Sequence, residues 1–220
     1  MNDSSSLQLL VLAGVAIFLF LKLRSVLGTR EGFEKPPMPR PDTSRQVEHN
    51  FEVIEGGPDR DITDHVEENS PEANTLAAMK AADPSFSVTE FIGGARGAYE
   101  MILMGFERGD LGQIKPFLAP DVYETFAEVV TDRELKGLTI EADFIGIREI
   151  AIAGAEFNST TRVGEISVRV IGELTSVVRD RGGDIIEGDK TTVKRQRDTW
   201  TFAHEMGSEN PNWKLVATGE

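Results

Sequence analysis

Proton transfer and metal binding near neutral pH fall first to histidine. The chain has three: His49, His65 and His204. None stands in a chelating spacing. There is no HExxH run, no calcium-loop pattern and no phosphate-binding glycine loop. There is also no cysteine, which excludes thiolate nucleophiles, disulfide staples and the usual structural zinc sites. Tyr99, Tyr123 and Asp143 remain as candidates for proton abstraction inside a closed pocket. A catalytic carboxylate needs burial or a charged neighbour to raise its pKa. Asp143 alternates with Phe144 and is therefore expected to face solvent as an ordinary surface acid. The pattern predicts no catalytic residue, no metal and no cofactor.

Apolar recognition is the other chemistry on offer. Tyr99, Leu103, Phe106, Phe126, Val130, Phe144, Trp200 and Phe202 are the candidates to line an apolar pocket, and the same side chains would serve equally as core. Lys190, Lys194, Arg195 and Arg197 make one basic strand in a chain of formal net charge −14. Charges on an edge strand block aggregation; a docking surface for an acidic partner is the alternative. The overall acidity excludes a nucleic-acid partner, whose phosphates it would repel.

These residues sit in regular elements. Residues 72–82 read as a short helix that stops at Asp83-Pro84, because the residue before proline is driven out of the helical region. Ser87-Val88-Thr89-Glu90 fits a capping box. Phe91, Ala95, Tyr99, Ile102 and Phe106 then form one apolar stripe, and Gly109 suits the C-cap. Gly93 and Gly97, four apart in this helix, predict close backbone packing within the domain rather than membrane dimerisation. Residues 110–117 read as a short helix. Pro120 suits the first turn of another, which ends near Gly137. After that the period changes to two. Ile140, Ala142 and Phe144 alternate with acids, and a slip near Arg148–Glu149 predicts a bulge. Ile166, Val168, Val170 and Leu174 mark a half-buried strand. Arg181–Asp184 is a turn, Thr191–His204 a strand, and Trp213, Leu215 and Ala217 a last short one. Helices followed by strands predict an α+β domain, with helices packed on a curved antiparallel sheet that forms a cone.

Ahead of this domain the composition shifts. Leu7 to Leu21 is apolar apart from Gln8. With Lys22 and Arg24 snorkelling, a helix from about Ser4 to Leu27 is long enough to span a bilayer. Residues 1–6 carry no basic charge and no small-residue cleavage site follows, so an uncleaved anchor over residues 1–30 is expected rather than a signal peptide. No Lys or Arg precedes the segment, whereas Lys22, Arg24, Arg30 and Lys35 follow it. That asymmetry predicts a cytoplasmic C-terminal domain. Residues 31–70 are acidic and proline-containing, and are expected to form a disordered linker. Phe51–Glu55 within it reads as solvated spacer, with a short docking motif for a partner as the alternative. The folded domain is expected over residues 71–220.

The run Phe106-Glu107-Arg108-Gly109-Asp110-Leu111, with Ile114, Phe117-Leu118, Pro120 and Tyr123-Glu124, is familiar. So are Val178-Arg179-Asp180, Ile186-Glu187-Gly188-Asp189, Asp198-Thr199-Trp200-Thr201-Phe202 and Asn210-Pro211-Asn212-Trp213-Lys214-Leu215-Val216-Ala217-Thr218. Over about residues 72–220 this combination resembles the Tim44-like domain family, the scaffold of the mitochondrial import motor; the N-terminal anchor and acidic linker resemble its bacterial TimA-type members, not the mitochondrial ones. The resemblance implies a cone similar to nuclear transport factor two, with a large apolar pocket. It further implies a non-enzymatic scaffold in protein translocation or inner-membrane protein assembly. Its partners would be membrane lipid through the N-terminal helix, and translocase components, a chaperone or client proteins. Its place would be the bacterial inner membrane. In the mitochondrial family early helices bind lipid and an N-terminal portion recruits the matrix Hsp70. Here residues 72–108 carry only Lys80, Arg96 and Arg108 as cations, and residues 30–70 hold no evident chaperone-recruiting portion. Two other readings stay open: a secretion-system inner-membrane scaffold with a periplasmic domain, and a lipid-binding carrier or small enzyme using the same pocket.

Overall fold

The computed structural model describes residues 57–219. The expected anchor from Leu7 to Leu21, the cations Lys22, Arg24 and Arg30, His49 and most of the expected linker lie outside them. Among the described residues no helix is long and apolar enough to cross a membrane.

Helices come first and strands follow. They are α1 (Arg60–Thr63), α2 (Pro71–Ala82), α3 (Val88–Arg108), α4 (Leu111–Ile114) continued by a 3-10 turn (Lys115–Phe117), and α5 (Pro120–Lys136). The strands are β1 (Thr139–Asn158), β2 (Val163–Arg179), β3 (Ile185–Glu205) and β4 (Lys214–Gly219). They form one antiparallel sheet in sequence order, a four-stranded meander.

Local chemistry explains the helix bounds. Ser70 caps α2, its Oγ accepting from the Ala73 amide at 3.1 Å, and Pro71 occupies the first turn. Asp83, extended before Pro84, ends that helix. The Ser87 Oγ accepts from the Glu90 amide at 3.3 Å and starts α3. Gly109 closes α3 with φ +74° and Gly137 closes α5 with φ +69°, each in the left-handed region that glycine enters at least cost.

The sheet carries the expected period of two. In β2 the even positions from Gly164 to Leu174 are buried and the odd ones are not. Their cross-strand partners lie on the same face: Ile152 and Trp200 flank Val168, and Phe202 faces Ile166. The bulge expected near Arg148–Glu149 is present, and the register of β1 also shifts at Phe144/Gly146 and Ile152/Gly154. Bulges bend a strand and increase its twist, so β1 curves. The helices bury Leu76, Met79, Phe91, Tyr99, Ile102 and Leu103 against Ile166, Val168, Val170, Trp200, Phe202 and Leu215. Full burial of such side chains contributes about 1.5–3 kcal/mol each.

One boundary moves. The linker was expected to run to residue 70, yet residues 59–70 are already folded. Ile62 is buried in the main core. Asp61 accepts from the Val88 amide at 2.8 Å and the Thr89 amide at 2.9 Å, two of the orphan donors at the N-terminus of α3. A lone acid in an acidic stretch looks like a solvated spacer; its partners, 27 and 28 residues away, make it a cap.

Candidate functional site: an open groove beside α3

The outward face of α3 carries Glu90, Gly93, Gly94, Gly97 and Met101, all exposed. Ala98 lies beside them and is half-buried. This face forms one wall of a groove of about 540 Å³. Phe86, Phe91, Phe117, Phe202 and Trp213 supply the apolar floor and far wall. Asp83, Glu90 and His204 are its titratable lining residues.

The aromatic part is well ordered by packing. Trp213 lies 4.6 Å from Phe91 and 5.8 Å from Phe86 between ring centroids, and Phe91 meets Phe202 edge-on at 6.2 Å. His204 stacks obliquely on Trp213 at 5.2 Å. Offset and edge-on aromatic pairs of this kind add about 0.5–1.5 kcal/mol beyond area burial. Trp213 is delivered by the Asn210-Pro211-Asn212 turn, where the Asn212 amide donates to Asn210 Oδ1 at 3.1 Å.

Asp83 fixes the acidic end. Its carboxylate accepts from the Ser85 hydroxyl at 2.6 Å and the Ser85 amide at 3.0 Å, and from the Gly207 amide at 2.8 Å. The Ser85 hydroxyl foremost, with the Gly207 amide and nearby His204, holds this carboxyl below the usual carboxylate range. It is therefore charged at neutral pH. The Gly207 bond ties the end of α2 to the loop that carries Trp213.

The glycines do not pack as expected. Gly93 and Gly97 predicted a close approach inside the domain. Among the described residues, a Cβ built at Gly93, Gly94 or Gly97 meets nothing within 4 Å. Glycine in a helix interior costs about 1 kcal/mol relative to alanine, and no contact among the described residues offsets that cost here.

Of the eight residues expected to line a pocket, Phe202 alone lines this groove. Tyr99, Leu103, Val130 and Trp200 are buried and Phe106, Phe126 and Phe144 half-buried. Tyr99 packs on Trp200 at 4.7 Å and near Phe144 at 6.2 Å; Phe106 packs on Phe126 at 4.5 Å. The Tyr99 hydroxyl donates to Asp198 Oδ2 at 2.6 Å. Burial, then this bond to a carboxylate, pushes the phenol well above its ordinary value. Gly172 lets the ring cross β2, since a Cβ there would lie 2.7 Å from the phenol oxygen. The aromatic signal in the sequence thus found the core. The groove's own signal was Phe86, Phe117 and Trp213 together with glycines on a helix face turned away from the apolar stripe.

The proton-transfer candidates are scattered. Asp143 is exposed. Tyr123 lies under Lys115, 4.8 Å from its ammonium. His65 pairs with the Thr89 hydroxyl at 3.0 Å. Among the described residues no group of three or more His, Asp or Glu is placed to hold a metal. The basic strand lies where β4, paired only along Thr199–Ala203, does not reach. Lys190 pairs with Glu141 at 2.6 Å, Arg195 with Glu173 at 2.9 Å and Lys194 with Glu187 at 3.9 Å.

Residues 72–220 match the family described as Tim44-like domain. The chain is similar to the mitochondrial import inner membrane translocase subunit TIM44-1 of Arabidopsis thaliana, with 22% identity over 166 residues. That similarity covers 71% of this chain and 34% of the plant protein, so the chain spans about a third of that relative's length. Among solved structures, the intermembrane space region of the chloroplast protein ARC6 is similar at a TM-score of 0.35 and 9% identity, covering 50% of this chain and 75% of that one.

Proposed function

The chain belongs to the Tim44-like domain family, and from that premise we propose that it is a membrane-tethered, non-enzymatic scaffold for protein translocation or inner-membrane protein assembly. It holds an apolar segment of a partner protein in the groove beside α3. The observation that carries this reading is the open groove itself, with an aromatic floor and with Trp213 from the family-like Asn210–Thr218 run in its wall. The name of the plant relative, an inner membrane translocase subunit, supports the process.

In this reading the sheet and helices form a cone-shaped head on a single N-terminal span in the bacterial inner membrane. The cations Lys22, Arg24 and Arg30 keep that head in the cytoplasm. Partners are translocase components, a chaperone or client proteins, together with membrane lipid around the span.

A photo-crosslinker in place of Phe117, on the groove wall, tests the proposal in the full chain in native membranes. Adducts with translocation components or nascent membrane proteins are expected. Recovery of lipid adducts alone would replace the scaffold with a lipid carrier. Digestion of the domain by protease added outside spheroplasts would overturn the cytoplasmic placement and favour a periplasmic secretion scaffold.

A further inference from the structure

The groove's two walls differ in kind, and the difference specifies the occupant. One wall is a flat helix surface, Gly93-Gly94-Gly97 with Ala98 and Met101; the other is aromatic, Phe86, Phe117 and Trp213. Among the described residues the space above all three glycines is open, so packing within residues 57–219 does not demand them. A glycine face instead lets another backbone come close, the arrangement seen where two helices pack through small residues. An acyl chain gains nothing from a missing Cβ, because bulky side chains would contact it better. An added strand needs a sheet edge, and α3 has none to give.

Glu90 to Met101 spans three helical turns, about 16 Å, enough for one face of a short helix. The aromatic wall would receive apolar side chains repeating at three-to-four spacing. Charge sets direction. Asp83 and Glu90 stand at the same end, where α3 begins, and Asp83 is held ionised by Ser85 and Gly207. Among the described residues the lining has no Lys or Arg.

We infer that the groove binds an α-helix of a partner protein, with small and apolar residues against the α3 glycines and a Lys or Arg at the end beside Asp83 and Glu90. The inference rests on the proposed scaffold role and specifies what the scaffold grips.

The test uses the full chain in phosphatidylcholine nanodiscs, with empty nanodiscs as the blank, and a labelled helical peptide of Ala and Leu carrying two Lys at one end. Comparison peptides replace Lys by Glu, or break the helix with a central Pro. Lauric acid serves as the acyl probe. The Lys peptide should bind most tightly, and the Glu and Pro peptides at least tenfold more weakly. Gly97→Leu should weaken binding of the Lys peptide at least tenfold. Gly97→Ala should raise the melting temperature by a few degrees and still weaken binding, opposite signs that a purely structural glycine would not give. Glu90→Gln should reduce affinity for the Lys peptide several-fold and should not reduce affinity for the Glu peptide.

Equal affinity for the Lys and Glu peptides, or a Gly97→Leu affinity within twofold of the original, overturns the inference. So does tight lauric acid binding without peptide binding, which makes the groove an acyl site. Self-association abolished by Gly97→Leu, with no peptide bound, assigns the groove to a second copy instead. If membrane crosslinks to translocation partners persist in Gly97→Leu, the scaffold role stands and the helix inference alone is lost.

Discussion

Asp61 accepts at once from Lys80 Nζ, the Ser87 hydroxyl and the Val88 and Thr89 amides, all within 2.8–2.9 Å. Partial burial works against its charge. The Lys80 ammonium and the two amides outweigh that, and hold the carboxyl well below the usual carboxylate range. Asp61→Ala should therefore cost about 2–3 kcal/mol, as expected for charge-assisted bonds with amides left behind, read as a lower urea midpoint at unchanged slope. Because the folded-state pKa is depressed, the stabilisation is complete above the unfolded value of about 4 and fades as pH falls below it. Urea titrations at about pH 6 and about pH 3 should show a smaller acid loss in Asp61→Ala than in the parent. Tyr99 has the opposite sign. Its phenol is raised in the fold, so its contribution holds below about pH 10 and is lost as pH climbs beyond. Ultraviolet titration should show a tyrosinate step that coincides with alkaline unfolding and disappears in Tyr99→Phe.

The helices and strands obey rules that local sequence states openly. Ser70 and Pro71, Ser87, Gly109, Pro120 and Gly137 mark starts and stops, and the structure uses every one of them. Gly137 carries a second demand: the Arg181 side chain passes over it, where a Cβ would stand, and donates to the Leu135 carbonyl at 2.8 Å. Gly137→Ala should cost about 1–2 kcal/mol from the left-handed backbone, and more if Arg181 is displaced; thermal unfolding measures it. The buried face of the sheet was equally legible, because Ile166, Val168, Val170 and Leu174 announce it. Two things were not. The capping role of Asp61 depends on a partner 27 residues away, and periodicity carries no information at that separation. The groove depends on what is missing from one face of α3. The Gly93–Gly97 spacing alone fits an inward contact and an outward one; the signal for the outward one was their place off the stripe of Phe91, Ala95, Tyr99 and Ile102. A chain beginning at Pro71 should accordingly melt several degrees lower than one beginning at Gly57, since it lacks α1, the buried Ile62 and the Asp61 cap.

At the scale of the whole molecule, the proposed tether and the described domain make separable predictions. Removing residues 1–30 should release the chain into the soluble fraction of a lysate without changing the melting temperature of the domain; persistent membrane association would show that the domain itself binds lipid. The early fold boundary also has a mechanical consequence. A pull applied at Gly57 meets the Lys80–Asp59 and Lys80–Asp61 ion pairs, at 2.6 and 2.9 Å, and then the bonds from Asp61 to Ser87, Val88 and Thr89. Those last residues open α3, beside Glu90 and one turn from the first of the glycines. Tension along the chain therefore arrives at the mouth of the groove before it reaches the sheet. In single-molecule stretching between residues 57 and 219, a first low-force step that frees residues 57–70 is expected, and Asp61→Ala should lower the force at which it occurs. A scaffold built this way registers a tug on its own leash at the place where it holds its cargo.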